Sequence, residues 1–406
     1  MLRVQESLLL VLSDAMWRKT SEHTYSESEW EEILTLAEAQ GVLFLLLQGC
    51  TSLRTQVSSA NWQKWRSKLL STIVNNDSLM AVQDKIVGLM SDKGIPCAIL
   101  KGASLASCYY DPSSRALGDI DLLVAPQYVD QAADILLAQG FSAPKESFAH
   151  PYHIDFYRNK VAVELHFAVS GFPDSAAGAE AKRHMDLCWQ QIQWKHHTEH
   201  LFPCLSDFHQ ALSLMLHMER HMTTGCIGLR QLCDWAVFVK SVSHDCFAGQ
   251  ILPMLENCGL AEFARVLTKT AVRYLGLDPN HAPWCSMVKS KLTEAMMAEV
   301  LRAGSIHNRN NTDDTSSFFV ESSGSEAAIR VYIRKINDIS RRKFPITQKV
   351  PVLLPIFWIY IPIRYWVRSL IGRRKRKSVL RTIAMTKQRK LLYRELKLFQ
   401  NDDKKR

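Results

Sequence analysis

ILKGASLASCYYDPSSRALGDIDLLV, residues Ile99–Val124, decides how this 406-residue chain is read. Asp119 and Asp121 stand two positions apart in an apolar run with strand character. Side chains at i and i+2 leave a strand on the same face, so both carboxylates project into one small volume. Two anions that close repel and raise one another's pKa. A fold bears such a pair on a wet strand edge, or puts it to use around a divalent cation. Mg²⁺ takes hard oxygen ligands, which carboxylates and substrate phosphates supply.

Upstream, the apolar run Ile95–Leu100 reads as a strand that ends at Lys101-Gly102, and Ala103–Tyr110 reads as the opening turns of a helix. Gly102 permits close backbone approach at that junction. A helix start offers unpaired N–H groups and a positive dipole end to a phosphate, and Lys101 adds a cation beside it. Arg115, four residues before Asp119, can pair with a carboxylate or a phosphate.

Lys101-Gly102-x-Ser104-Leu105, then Arg115, then Gly118-Asp119-Ile120-Asp121-Leu122-Leu123-Val124 form a specific combination. It resembles the nucleotidyltransferase superfamily that includes DNA polymerase beta. Within it, the chain is similar to a bacterial family of uncharacterised nucleotidyltransferases with the pattern LKG…R…DIDLLV. The abortive-infection nucleotidyltransferase toxins carry a similar KGGTAL…R…DID pattern. The resemblance is strongest over residues 90–170. It implies an α+β fold: a small mixed sheet with flanking helices, plus N- and C-terminal helical regions. It also implies transfer of an NMP from an NTP, ATP included, to a hydroxyl acceptor on Mg²⁺ or Mn²⁺ held by Asp119 and Asp121. Lys101, Gly102, Ser104 and Arg115 would then hold the nucleotide. The superfamily's usual Gly-Ser pair is here Gly102-Ala103-Ser104, so the hydroxyl contact falls to Ser104.

A third acid is expected further on. Two strand-like runs, His153–Tyr157 and Val161–Val169, flank the turn Arg158-Asn159-Lys160. On the second, Ala162, Glu164 and His166 share one face, and Val161, Val163 and Leu165 the other. A charged Glu164 among apolar neighbours needs a partner, either a salt bridge to a residue such as Arg115 or a metal. The match of VELHF to the family's VELHW-like strand implies that Glu164 is the third metal ligand. Asp155 on the adjacent run is the rival, and His166 reads as a structural neighbour.

The rest of the chain is mostly helical in pattern. Glu6–Trp17, Ser28–Gln48 and Trp62–Lys93 carry apolar residues at helical spacing and read as a cover on the core. MLRVQESLLLVLSDAMW reads as such a helix rather than a secretory leader. Pro126–Gln139 is helical and Gly140 ends it. Residues 171–200 read as a polar loop over the site followed by a Trp-containing stretch. Asp207–Lys240, Ala261–Leu275 and Val288–Arg302 read as helices. His217 and His221 are i, i+4 on one face, but the HExxH pattern of zinc helices is absent, so they read as packing or nucleotide-facing residues. Arg230 and Asp234 have the spacing of a helix ion pair. The domains expected are 1–90, helical; 91–195, catalytic core; 196–303, helical; 304–345, loop or linker with a helix; and 346–406, an apolar-basic segment.

Charge separates that last segment from the body. Of 50 basic and 40 acidic residues, 16 and 3 fall in 364–406, so this stretch carries +13 and the remainder −3. Such asymmetry suits an anionic partner of the tail, not of the whole protein. Val350–Ile363 is an uncharged run of 14 residues, short of the ~20 a spanning helix needs, and Arg373–Lys377 follows it. Peripheral contact of 350–377 with an anionic membrane is the first expectation for it, nucleic acid the second. Ten cysteines without a CxxC pair suit reduced thiols in a cytoplasm, with membrane association through the tail. Two alternatives stand beside the enzyme: an inactive nucleotide-binding scaffold at the membrane surface, and a toxin-like transferase acting on RNA.

Overall fold

The computed structural model describes residues 1–20, 23–150, 152–169, 172, 175–224, 227–303 and scattered positions between 337 and 398. Among the described residues, six strands form one mixed sheet: β1 (Cys97–Ile99), β2 (Ile120–Val124), β3 (His153–Arg158), β4 (Val161–His166), β5 (Ile192–His197) and β6 (His200–Leu205). Their order is β3-β4-β2-β1-β6-β5. The pairs β2–β4 and β1–β6 are parallel, whereas β1–β2, β3–β4 and β5–β6 are antiparallel. With helices flanking this small mixed sheet, the α+β architecture expected of the sequence is the one observed.

Alternation of side chains gives the sheet two faces of opposite character. Leu122, Val124, Phe156, Val163 and Leu165 line the apolar face, all fully buried. They pack with Leu79, Met80, Ile86 and Met90 of the helix Ser59–Asp92, and with Ala132, Ala133 and Leu136 of the helix Val129–Ala138. Asp121, Asp155 and Glu164 each stand next to one of these in sequence and therefore point to the other face.

Several elements differ from expectation. The helix foreseen over Ser28–Gln48 is two, Glu27–Ala39 and Leu43–Gly49, because Gly41 adopts φ +71 and breaks the run. The loop expected over the first part of 171–200 is helical in its described residues from Ala176 on. That stretch holds the helix Ala176–Asp186 and most of a hairpin whose second strand, β6, lies beside β1, so the sheet continues past residue 195. The helix expected over Ala103–Tyr110 is a single turn, Ala103–Ala106.

The chain divides into two compact units. One comprises Met1–Met222, Cys226–Asn310 and Lys397–Arg406, and contains the whole sheet. In the other, the described residues include a turn at Pro351–Leu353 and helical positions 354–360, where Phe344, Phe357 and Tyr360 form an aromatic cluster. Among the described residues, no helix is long and apolar enough to cross a membrane. The loop expected at 305–325 and the basic cluster 373–377 lie outside the described residues.

Leu122 is fully buried at the centre of the strand that carries Asp121. Leu122→Ala should lower the unfolding free energy by about 2–5 kcal/mol in urea denaturation, as a core cavity does.

Candidate functional site

The site forms where β1, β2 and β4 run side by side. Leu100 donates its backbone N–H to the carbonyl of Asp121, which fixes the end of β1 against β2. The chain then turns at Gly102, with φ +58 and ψ −112, a conformation that a side chain strains. Lys101 is thereby aimed back at the carboxylates, with its Nζ 2.8 Å from Asp121 Oδ1.

The parallel register sets Asp121 opposite Glu164, and the antiparallel register sets Glu164 opposite Asp155. Asp119 precedes β2 and joins the same face. One carboxylate oxygen each from Asp119, Asp121 and Glu164 lie within 4.8 Å of one another. Asp155 is engaged elsewhere: Ser147 Oγ donates to it at 3.1 Å, and His153 Nε2 is 3.2 Å away. His166 Nε2 lies 3.0 Å from Asp121 Oδ1 and 3.1 Å from Glu164 Oε2. This imidazole, read from sequence as a neighbour, links two of the three acids.

Electrostatics divide the three acids. Burial and the adjacent Asp121 raise the pKa of Asp119. Burial acts the same way on Asp121, but Lys101 and the His166 hydrogen bond outweigh it and hold this carboxyl well below the usual range. Glu164 is likewise lowered, its burial overcome mainly by the hydrogen bond to His166. In turn, burial lowers His166 while its bonds to Asp121 and Glu164 win and raise it. Lys101 and the hydrogen bonds of His166 thus offset the burial of Asp121 and Glu164, and Asp119 bears the repulsion that is left.

Behind the site lies a second ion pair. Arg115 donates through Nε and Nη2 to the two oxygens of Asp234, at 2.8 and 2.9 Å, with both side chains 7% exposed. Tyr109 donates its hydroxyl to Asp234 Oδ1 at 2.8 Å, and Arg115 Nη1 reaches the carbonyl of Gly102 at 3.2 Å. Asn76 accepts from Leu117 N–H and donates to the Arg115 carbonyl. Arg115 therefore clamps the Gly102 turn to the helix Leu229–Ser241, and faces neither Glu164 nor open cleft. Ser104 is also drawn inward, fully buried, and its hydroxyl donates to Gln210 at 3.3 Å.

The helix Asp207–Thr224 brings His217 near these groups. Burial and the charge of Lys101 hold His217 well below its ordinary pKa, and its ring sits 4.4 Å from that of His221 in a T-shaped contact. Arg230, read from sequence as a partner for Asp234, has its charge felt at Asp119. The Arg115–Asp234 clamp and the approach of Arg230 join residues more than a hundred positions apart, which local spacing does not reveal.

The donor set fits a hard divalent cation. Three carboxylates converge, and the raised pKa of Asp119 marks charge that such an ion would relieve. A family model described as an uncharacterised nucleotidyltransferase matches residues 26–276. No curated protein matches the chain.

Removing one partner of a buried ion pair strands the other. Asp234→Asn or Arg115→Ala should cost about 3–5 kcal/mol of stability in chemical denaturation. Arg115→Lys should recover only part of it, because a lysine lacks the two-pronged fork.

Proposed function

The chain belongs to this uncharacterised nucleotidyltransferase family, and on that premise we propose that it moves an NMP from an NTP to a hydroxyl acceptor. The convergence of Asp119, Asp121 and Glu164 carries the reading. These three would hold Mg²⁺ or Mn²⁺, which when bound lowers the pKa of the acceptor hydroxyl and offsets charge on the triphosphate. Lys101, beside Asp121, offers its ammonium to phosphate oxygens, and the Gly102 turn lets the backbone approach them. Glu164, with its side chain 29% exposed, would take the proton of the hydroxyl as its oxygen attacks the α-phosphorus and pyrophosphate leaves. Arg115 acts here as a positioning residue that holds the Gly102 carbonyl through its grip on Asp234. Ser104 keeps its place in the turn through its backbone, since its hydroxyl is given to Gln210.

The commitment of that hydroxyl also supports a second reading, a nucleotide-binding scaffold without transfer. For the tail we propose peripheral contact with an anionic membrane. Val352, Ile356 and Ile359 expose 84%, 61% and 66% of their surface, and the basic run 364–377 follows them in sequence. A cytoplasmic setting agrees with the nine described cysteines, all free thiols. RNA as the acceptor, through the tail, ranks behind a small molecule, a sugar or a protein hydroxyl because the rest of the chain carries only −3.

The intact chain should release pyrophosphate from a labelled NTP in the presence of Mg²⁺ and a suitable hydroxyl acceptor. Asp119→Asn should lower that rate by about 100-fold or more while circular dichroism stays unchanged. Full activity in the variant would remove Asp119 from the reaction. NTP binding without pyrophosphate release, across a broad acceptor panel, would favour the scaffold.

A further inference from the structure

The geometry points to a second metal site beside the acidic one, formed by His153, Glu164 and His166 and selective for a zinc-like transition-metal ion. One ligand atom from each of these residues lies within 4.8 Å of the others. Part of the cage is already at ligand spacing: His166 Nε2 and Glu164 Oε2 are 3.1 Å apart. Two atoms bound at about 2.0–2.1 Å to a tetrahedral zinc are about 3.3 Å apart. His153 faces His166 across the β3–β4 register, with ring centroids 5.0 Å apart, so closing the third ligand needs a side-chain adjustment and no strand movement.

One unsatisfied atom supports the site. Nδ1 of His153, the ring nitrogen that does not face Asp155, is buried and makes no hydrogen bond, although a buried polar atom ordinarily finds a partner. His166 as a whole is 5% exposed. On the far side of His153, Asp155 Oδ1 sits 3.2 Å from Nε2, and Ser147 holds Asp155 in place. A carboxylate behind one imidazole nitrogen orients the ring for metal through the other. Glu164 and Asp155 are both felt at His153 as negative charge, opposed by His166 and Arg220.

Two imidazoles and one carboxylate make a poor home for Mg²⁺ and a good one for zinc. The two sites share Glu164, and His166 is also the partner of Asp121. An ion bound at the histidines therefore draws Glu164 away from Asp119 and Asp121, so zinc would oppose the proposed Mg²⁺-dependent reaction. This regulatory consequence rests on the proposed function, whereas the site itself does not.

The test is zinc binding alone, by competition with a colorimetric chelator on the metal-stripped full chain. The intact protein should bind zinc. His153→Ala should weaken it by more than about 100-fold, beyond what losing a supporting residue does. His153→Cys should restore it, since a thiolate also ligates zinc and a purely structural histidine would not be rescued this way. Asp119→Asn should leave zinc binding in place. No binding by the intact chain, or binding lost with Asp119→Asn and kept with His153→Ala, overturns the assignment. Mg²⁺-dependent NTP binding measured on His153→Ala separates this outcome from the fate of the proposed function.

Discussion

Opposition of Asp121 on β2 to Glu164 on β4, in a parallel register, is the constraint around which the site is built. It brings two carboxylates to one face of a sheet whose other face packs the hydrophobic core. With Asp119 two residues before Asp121, negative charge concentrates where burial already penalises it. The fold answers with Lys101 and His166, which hold Asp121 and Glu164 ionised. Asp119 is the acid whose charge these groups compensate least, and its charge is the one a divalent ion would stabilise most.

The surrounding elements keep these groups in place. Lys101 reaches Asp121 from the residue before the Gly102 turn, and that turn is held from behind by Arg115. Arg115 is in turn fixed by a two-pronged bond to Asp234 and by Tyr109 on the same carboxylate. A buried pair of this kind seldom adds net stability relative to apolar packing, but it specifies geometry, because either partner alone is costly to leave. The helical region is thus coupled to the sheet at the point where its registration matters for the site.

Much of this was legible in the sequence because it is local. The i, i+2 rule placed Asp119 and Asp121 on one face and Glu164 with His166 on another strand, and the apolar run read as a strand is observed as β2, Ile120–Val124. The helix Ala261–Leu275 also has the bounds its apolar spacing gave. Applied to His153 and Asp155, the same rule puts them on one face, and the observed β3–β4 register sets His153 opposite His166. The non-local parts were not legible. Arg115 offered either a phosphate or a carboxylate, and nothing nearby pointed to Asp234, 119 residues on. Ser104 looked like a phosphate contact until the buried Gln210 claimed its hydroxyl. The hairpin β5–β6 was hidden by charged and polar residues in IQWKHH and by Pro203 in its second strand. Its place beside β1 depends on packing that a strand pattern does not encode.

Calorimetric titration of an NTP into the full chain, with and without Mg²⁺, tests the central claim most directly when repeated on the Asp119→Asn/Asp121→Asn double variant. Binding that needs Mg²⁺ in the intact chain and disappears in the double variant is the predicted result. Binding of equal strength in the variant, or binding indifferent to Mg²⁺, would contradict the assignment of the acidic cluster as the nucleotide-metal site.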